Sequence, residues 1–280
     1  MAADTAGAGR YRGGVSAEVG LTLAVDQAIA LVMTHGQQSP NAMGLSGGYP
    51  GATIRHAMVH DAVDDLRFKD GEWEHFGPKP GTMPMTKSDL FVSSWQGGGG
   101  WGDPLDREQE AVARDVRTGR VSQAAARTIY GVVVDGDGGL DEAETTRVRR
   151  EIRLARVGGS FVEDPARTFT GERVLRLGAS LHLGRQDGEW VVVSEADYIL
   201  VRGSTQWRQG AVTRRMEQPE PEANVLLHED LVMTACYCPA SGTLLSLDTH
   251  RHDEPLSDDV LLDLDRFPTS TSERSLSRAA

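Results

Sequence analysis

A chain of 280 residues with 39% hydrophobic and 6% aromatic residues can bury a lean globular core, in one large domain or two of ordinary size. Its net charge of −12 excludes a general nucleic-acid binder, because phosphate binding requires a basic surface. The first ten residues lack the basic and apolar regions of a secretion signal, and no apolar run reaches membrane-spanning length, so a cytoplasmic protein without a membrane partner is expected.

Residues 1–14 read as an irregular start. "EVGLTLAV" (18–25) alternates as a strand does, and 37–52 is a glycine- and proline-marked loop. "LFVSSW" (90–95) is a strand leading into "WQGGGGWGDP" (95–104), after which the period turns helical. Asp103-Pro104 is a helix start, with an acceptor side chain before a residue preset for the first helical position. Leu105, Val112 and Val116 share a face and Gly119 ends the helix; Ser122 caps a second helix with Val121, Ala125 and Ile129 inward. "GVVV" (131–134) reads as a buried strand. "DEAETTRVRREIRLAR" reads as a third helix, with Val148, Ile152 and Ala155 on one side and Arg149, Arg153 and Arg156 on another.

The glycine- and polar-rich stretch 158–172 is the expected boundary, and strand-like segments dominate beyond it, divided by a Pro/Glu spacer at 217–224. The fold expected is α+β: a β-rich first part, 1–157, with a short helical segment, then a mainly β domain, 158–268, and a disordered tail, 269–280.

Each motif is weighed against its plainer reading. The glycine run lacks the Lys-Ser/Thr of a phosphate loop and places Asp103 where phosphate would approach, so it reads as a turn needing positive φ and close backbone approach, or as a loop shaping a neighbouring active site. "GAGRYRG" (7–13) has too little chain before it for a dinucleotide fingerprint. "GLSGG" (44–48) spells a nucleophile elbow around Ser46 without the strand and helix an elbow needs. "DGDGGLDEAETT" (135–146) has Leu140 and Thr146 where a calcium loop needs Gly and Glu. His56 and His60 are spaced as a metal pair on a helix, but no further ligand is evident. Five arginines from Arg147 to Arg156 read as a solvated or inter-subunit face.

Cys236 and Cys238 are the only cysteines; one residue apart, they exclude a disulfide framework. With His250 and His252 they form a donor set suited to tetrahedral zinc. The knuckle spacing C-x-x-C is absent, since Ser241 stands at the second position, and the alternative is a turn with two incidental thiols.

Taken together, "GAGRYRGG", "GLSGGYPGA", the run from Gly97 to Val134 and "DEAETTRVRR" resemble, in order, the C-terminal part of hydantoinase B/oxoprolinase chains over residues 6 to about 157. "CPASGTLLSLD" and the acidic stretch after it resemble the small gamma subunit of acetone carboxylase. The resemblance implies a subunit of an ATP-dependent complex that opens cyclic amides or carboxylates ketones, with ATP on a partner of the hydantoinase A type. It further implies a partner carrying the rest of a B-type chain, and catalytic residues that cannot be carried onto this sequence. The alternative is a non-catalytic assembly or metal-binding module that keeps only the family scaffold.

Overall fold

The computed structural model describes residues 2–63, 72–136, 138–216, 220–257 and 260–266. The expected disordered tail and residues 217–219 of the Pro/Glu spacer lie outside the described residues.

Six strands precede the glycine run: β1 (Glu18–Leu21), β2 (Gln27–Val32), β3 (Arg55–Val59), β4 (Trp73–Phe76), β5 (Gly81–Thr86) and β6 (Leu90–Ser94). They form an antiparallel sheet in the order β1-β6-β3-β4 and a separate ribbon, β2-β5. The two expected strands are present as β1 and β6. His56 lies on a strand rather than a helix, and His60 follows that strand's end, so the i,i+4 metal pair does not form. β3 lies inside the sheet and alternates Met58 and Val59 into apolar clusters on its two faces, a two-sided burial that a helical reading of "RHAMVHD" overlooks.

The helical segment follows as expected, with one shift. Asp103 caps a single 3-10 turn, Pro104–Asp106, and α1 (Gln109–Arg117) begins after it. Gly119, at φ 66°, ends α1. Ser122 accepts from the Ala125 amide to open α2 (Gln123–Thr128), and Asp141 accepts from Glu144 to open α3 (Glu142–Arg156). Residues 131–134 form no strand beyond one bridge from Val134 to Leu140, because Gly131 turns the chain at φ 60°.

The second part is mainly β. β7 (Glu172–Arg176), β8 (Leu181–Gln186), β9 (Glu189–Ser194) and β10 (Ile199–Arg202) form a meander; β11 (Val212–Met216), β12 (Leu231–Tyr237) and β13 (Leu244–Arg251) form a three-stranded sheet. β12 is its middle strand and is covered on both faces. Met233, Ala235 and Tyr237 pack into a cluster with Ala8, Tyr49, Val112, Ala126 and Ile129, while Cys236 and Cys238 pack with Leu183, Val192, Leu200 and Trp207. The strand period of two sorts these residues into two cores. Residues on both sides of the expected boundary therefore share one apolar cluster, and each fully buried Val or Leu in it contributes about 1.5–3 kcal/mol. Among the described residues, no helix is long and apolar enough to cross a membrane.

Candidate functional site

The glycine run is one of three irregular segments that pack backbone against backbone. The Gly98 amide donates to Gly14, Gly100 to Tyr49 and Gly102 to Leu45, at 2.9–3.0 Å; Gly7 donates back to Gly98 and Leu45 to Gly100. A side-chain carbon on Gly97 would lie 1.6 Å from the Thr5 carbonyl oxygen, and on Gly99 or Gly100 it would lie 2.0 Å from the Met43 or Ala8 oxygen. Of the run Gly97 to Gly102 only Gly102 has positive φ, 76°. The expected positive-φ turn is thus corrected: these glycines serve close approach of chains rather than left-handed backbone. With the amides of Gly97, Gly98, Gly100 and Gly102 bonded to protein carbonyls, the run offers no row of amides to cradle phosphate.

Asp103 sits where the glycine segments, α3 and the β12–β13 hairpin meet. Its Oδ1 accepts from Leu105 N (3.0 Å) and Arg156 Nη2 (3.2 Å), and its Oδ2 from Arg156 Nη1 (2.7 Å) and Leu244 N (2.9 Å). Burial pushes this carboxyl up, but Arg156, Arg153 and these hydrogen bonds outweigh it, and the group titrates below its ordinary range. Arg156 also donates to Gly242 O and lies over the Tyr237 ring.

Two other arginines of α3, Arg149 and Arg153, point inward too. Arg149 donates to the Tyr130 and Arg107 carbonyls, and Arg153 to Thr243 and Asp106. For these three residues the expected solvated or inter-subunit face is corrected to an intramolecular clamp. Arg147, itself exposed and bonded to half-buried Glu144 and exposed Glu151, keeps the solvated role.

The four candidate zinc ligands do not converge. Cys236 pairs across the sheet with Ser246 while His250 pairs with Val232, four residues along the strand, or about 13 Å at the usual rise. Both thiols are buried in the apolar cluster facing β8–β10, and Cys238 Sγ lies 3.4 Å from Ser194 Oγ. Burial pushes the Cys236 thiol up, against thiolate formation. His250 Nδ1 faces the Arg251 and Glu254 carbonyls and so donates, leaving Nε2 to accept from Thr234 at 2.9 Å. His252 is exposed against Arg215. Among the described residues, no three His, Cys, Asp or Glu side chains are grouped to hold a metal ion.

The concave feature with the most chemistry went unread in the sequence. A cleft of about 270 Å³ opens over the β1-β6-β3-β4 sheet, lined by Glu18, Arg55, Trp73, His75 and Ser94. Its rim includes Thr5, Ala52 and Thr53, the ends of the glycine-packed segments, held by Ala52 N to Thr5 O at 2.9 Å. Asn224, in left-handed conformation at φ 53°, closes the rim: its carbonyl accepts from Thr53 N and its side chain donates to Asp4 O. Strand alternation around 18, 55, 73 and 75 was the signal that could have found this face. On the opposite face of β3 from Arg55, His56 stacks on Phe91, and burial holds its imidazole below the ordinary range.

These glycine segments and the sheet they frame fall in the stretch that known proteins share. Residues 1–104 match the Hydantoinase B/oxoprolinase family model. The chain is 33% identical over 187 residues to the acetone carboxylase alpha subunit of Xanthobacter autotrophicus, covering 56% of this chain and 24% of that subunit. It is 35% identical over 144 residues to the caprolactamase subunit beta of Pseudomonas jessenii, covering 51% of this chain and 23% of that subunit. Nucleotide-free acetone carboxylase is similar at 31% identity and a TM-score of 0.49, with 58% of this chain and 25% of that chain covered. The chain thus spans about a quarter of the length of the curated relatives it matches. The hydantoinase B resemblance is supported by the family model and by these curated relatives, subunits of an acetone carboxylase and of a caprolactamase.

Proposed function

We propose that this chain is a subunit of an ATP-dependent complex that acts on a ketone or a cyclic amide, with ATP handled by a partner of the hydantoinase A type. The observation that carries this reading is the identity of 33–35% over about half the chain to a subunit of a ketone carboxylase and a subunit of a lactamase. The chemistry common to both is activation: phosphorylating an enolate or amide oxygen turns an unreactive group into one that can attack or be attacked. The spent amides of the glycine run support placing nucleotide chemistry on another chain. The second part, carrying "CPASGTLLSLD", is read as an acetone carboxylase gamma-like domain from Gly158 onward, and a B-type chain with the remaining family regions is read as a further partner.

The test is reconstitution with the products of neighbouring genes. The assembled complex hydrolyses ATP in response to a ketone or cyclic amide, and the isolated chain does not. Substrate-dependent ATP hydrolysis by the isolated chain would overturn the assignment of ATP to a partner.

A further inference from the structure

The cleft over the first sheet carries two charges without partners among the described residues. Glu18 and Arg55 pair with opposite edges of the same residue: both register against Ser94, from β1 on one side and from β3 on the other. Their Cα atoms are therefore two strand spacings apart, about 9.5 Å, on the face that lines the cleft. Both side chains are exposed, and neither forms an ion pair or side-chain hydrogen bond with a described residue. The largely buried arginines, by contrast, are committed: Arg12 and Arg107 to Asp115, Arg156 to Asp103.

Ser94 lies between the two charges, and two positions along the strands on the same face Ala57 and Val92 form a small apolar floor beside it. Ala57 registers with His75, and Val59 with Trp73, so these rings stand on the same face as Arg55. They stack 6.1 Å apart at 19° and wall the cleft on the β4 side. A guanidinium at one end, a carboxylate at the other and an apolar floor beside the line that joins them complement a linear molecule charged oppositely at its two ends.

We infer that this cleft binds an ω-amino acid, its carboxylate on Arg55, its ammonium on Glu18 and its methylene chain on Ala57 and Val92. The inference rests on the proposed function and deepens it, because the two candidate reactions release different products. Adding water to a lactam breaks the ring C–N bond: the carbonyl carbon becomes a carboxylate and the ring nitrogen, freed of its acyl group, an ammonium on the same chain. Carboxylating a ketone yields a keto acid, which has an anion for Arg55 and nothing for Glu18. The cleft therefore favours the cyclic-amide branch.

The experiment is calorimetric titration of the full chain with 6-aminohexanoate, with hexanoate, hexylamine and acetoacetate as single-charge comparisons. Aminohexanoate binds at least tenfold more tightly than any of the three. Arg55→Ala and Glu18→Gln each lose at least tenfold, and their unfolding midpoints, measured in parallel, match the parent because both side chains are exposed on strands. No binding by the parent, equal binding of hexanoate or acetoacetate, or full binding by either variant with a parental midpoint would overturn the inference. Since the titration needs no partner and no ATP, it can fail while the reconstituted complex turns over, or succeed while that complex is inert.

Discussion

Asp103 and Arg156, 53 positions apart in sequence, form a buried ion pair in which the carboxylate receives four hydrogen bonds. One of the four comes from the Leu244 amide, and Arg156 binds the Gly242 carbonyl, so the pair joins the DP turn, the end of α3 and the last hairpin. Removing one member leaves a buried charge uncompensated, which costs about 3–5 kcal/mol. Arg156→Met and Asp103→Ala are each expected to lower stability by that amount in urea denaturation, with the double variant recovering part of it. The pair also sets an acid limit. The folded-state pKa of Asp103 is depressed, so its stabilisation is complete above the unfolded value of about 4 and is lost as pH falls through the lower folded value. The stability difference between parent and Asp103→Asn should therefore be full above about pH 5 and shrink as pH falls below about 4 toward the depressed folded value; a difference that stays constant through acid would contradict the role given to this carboxylate.

The glycine segments allow a sharp comparison inside one structure. Alanine at Gly99 or Gly100 places its methyl carbon 2.0 Å from a backbone oxygen that cannot swing aside, whereas Gly14 has no heavy atom within 4 Å of the same position and no positive φ. Gly99→Ala and Gly100→Ala are expected to lose soluble protein or at least about 3 kcal/mol, in the range of severe core strain. Gly14→Ala should stay within about 0.5 kcal/mol of the parent. Thermal melts of the three variants decide it, and three equal midpoints would remove the close-approach account.

Much of this organisation was legible beforehand, for reasons that are local. Ser122 and Asp141 cap helices because a short acceptor side chain before an apolar-periodic run has one good use, and β6 and β1 show as short apolar or alternating runs. What escaped depended on contacts distant in sequence. Arg149, Arg153 and Arg156 looked like a solvent face because their partners, Tyr130, Asp106 and Asp103, come from turns whose position no helical period reveals. Cys236 and Cys238 looked like ligands because C-x-C shares a face on a strand, but the covering of that face by Leu183 and Trp207 is tertiary. The Glu18–Arg55 cleft depends on β1 and β3 both pairing with β6, a register that the intervening loop conceals.

His60 gives a pH dependence of opposite sign to that of Asp103. Its Nε2 lies 3.1 Å from Glu74 and its Nδ1 3.2 Å from Asp89; hydrogen bonding to Glu74 raises its pKa most, burial opposes it, and Asp89 adds a further rise that leaves the net shift upward. A raised folded value means the stabilisation is complete below the unfolded value near 6.5 and is lost as pH rises through the folded one. The side chain is 42% exposed, so solvent screens the pair and the effect is about 0.2–1 kcal/mol. His60→Asn should therefore destabilise more at pH 5.5 than at pH 9, measured by denaturant midpoints. An equal loss at both values would mean that the proton on His60 contributes nothing.

The cysteines allow a direct test of metal dependence. Zinc requires thiolates and converging ligands, whereas Cys236 is pushed toward the neutral thiol and His250 is held four strand positions away with both ring nitrogens engaged. Treatment with a strong chelator is therefore expected to leave the unfolding midpoint unchanged, and His250→Ala/His252→Ala to cost no more than about 1 kcal/mol, the worth of a partly exposed hydrogen bond. Cys236→Ser/Cys238→Ser should fold but lose about 1–3 kcal/mol, because each hydroxyl enters a site packed by Leu183, Val192 and Leu200. The two substitutions thus separate packing from ligation: packing predicts a loss in the cysteine variant alone, in chelator and in zinc alike. A midpoint that falls on chelation, returns with added zinc and is insensitive to zinc in both double variants would establish a metal-stabilised domain instead.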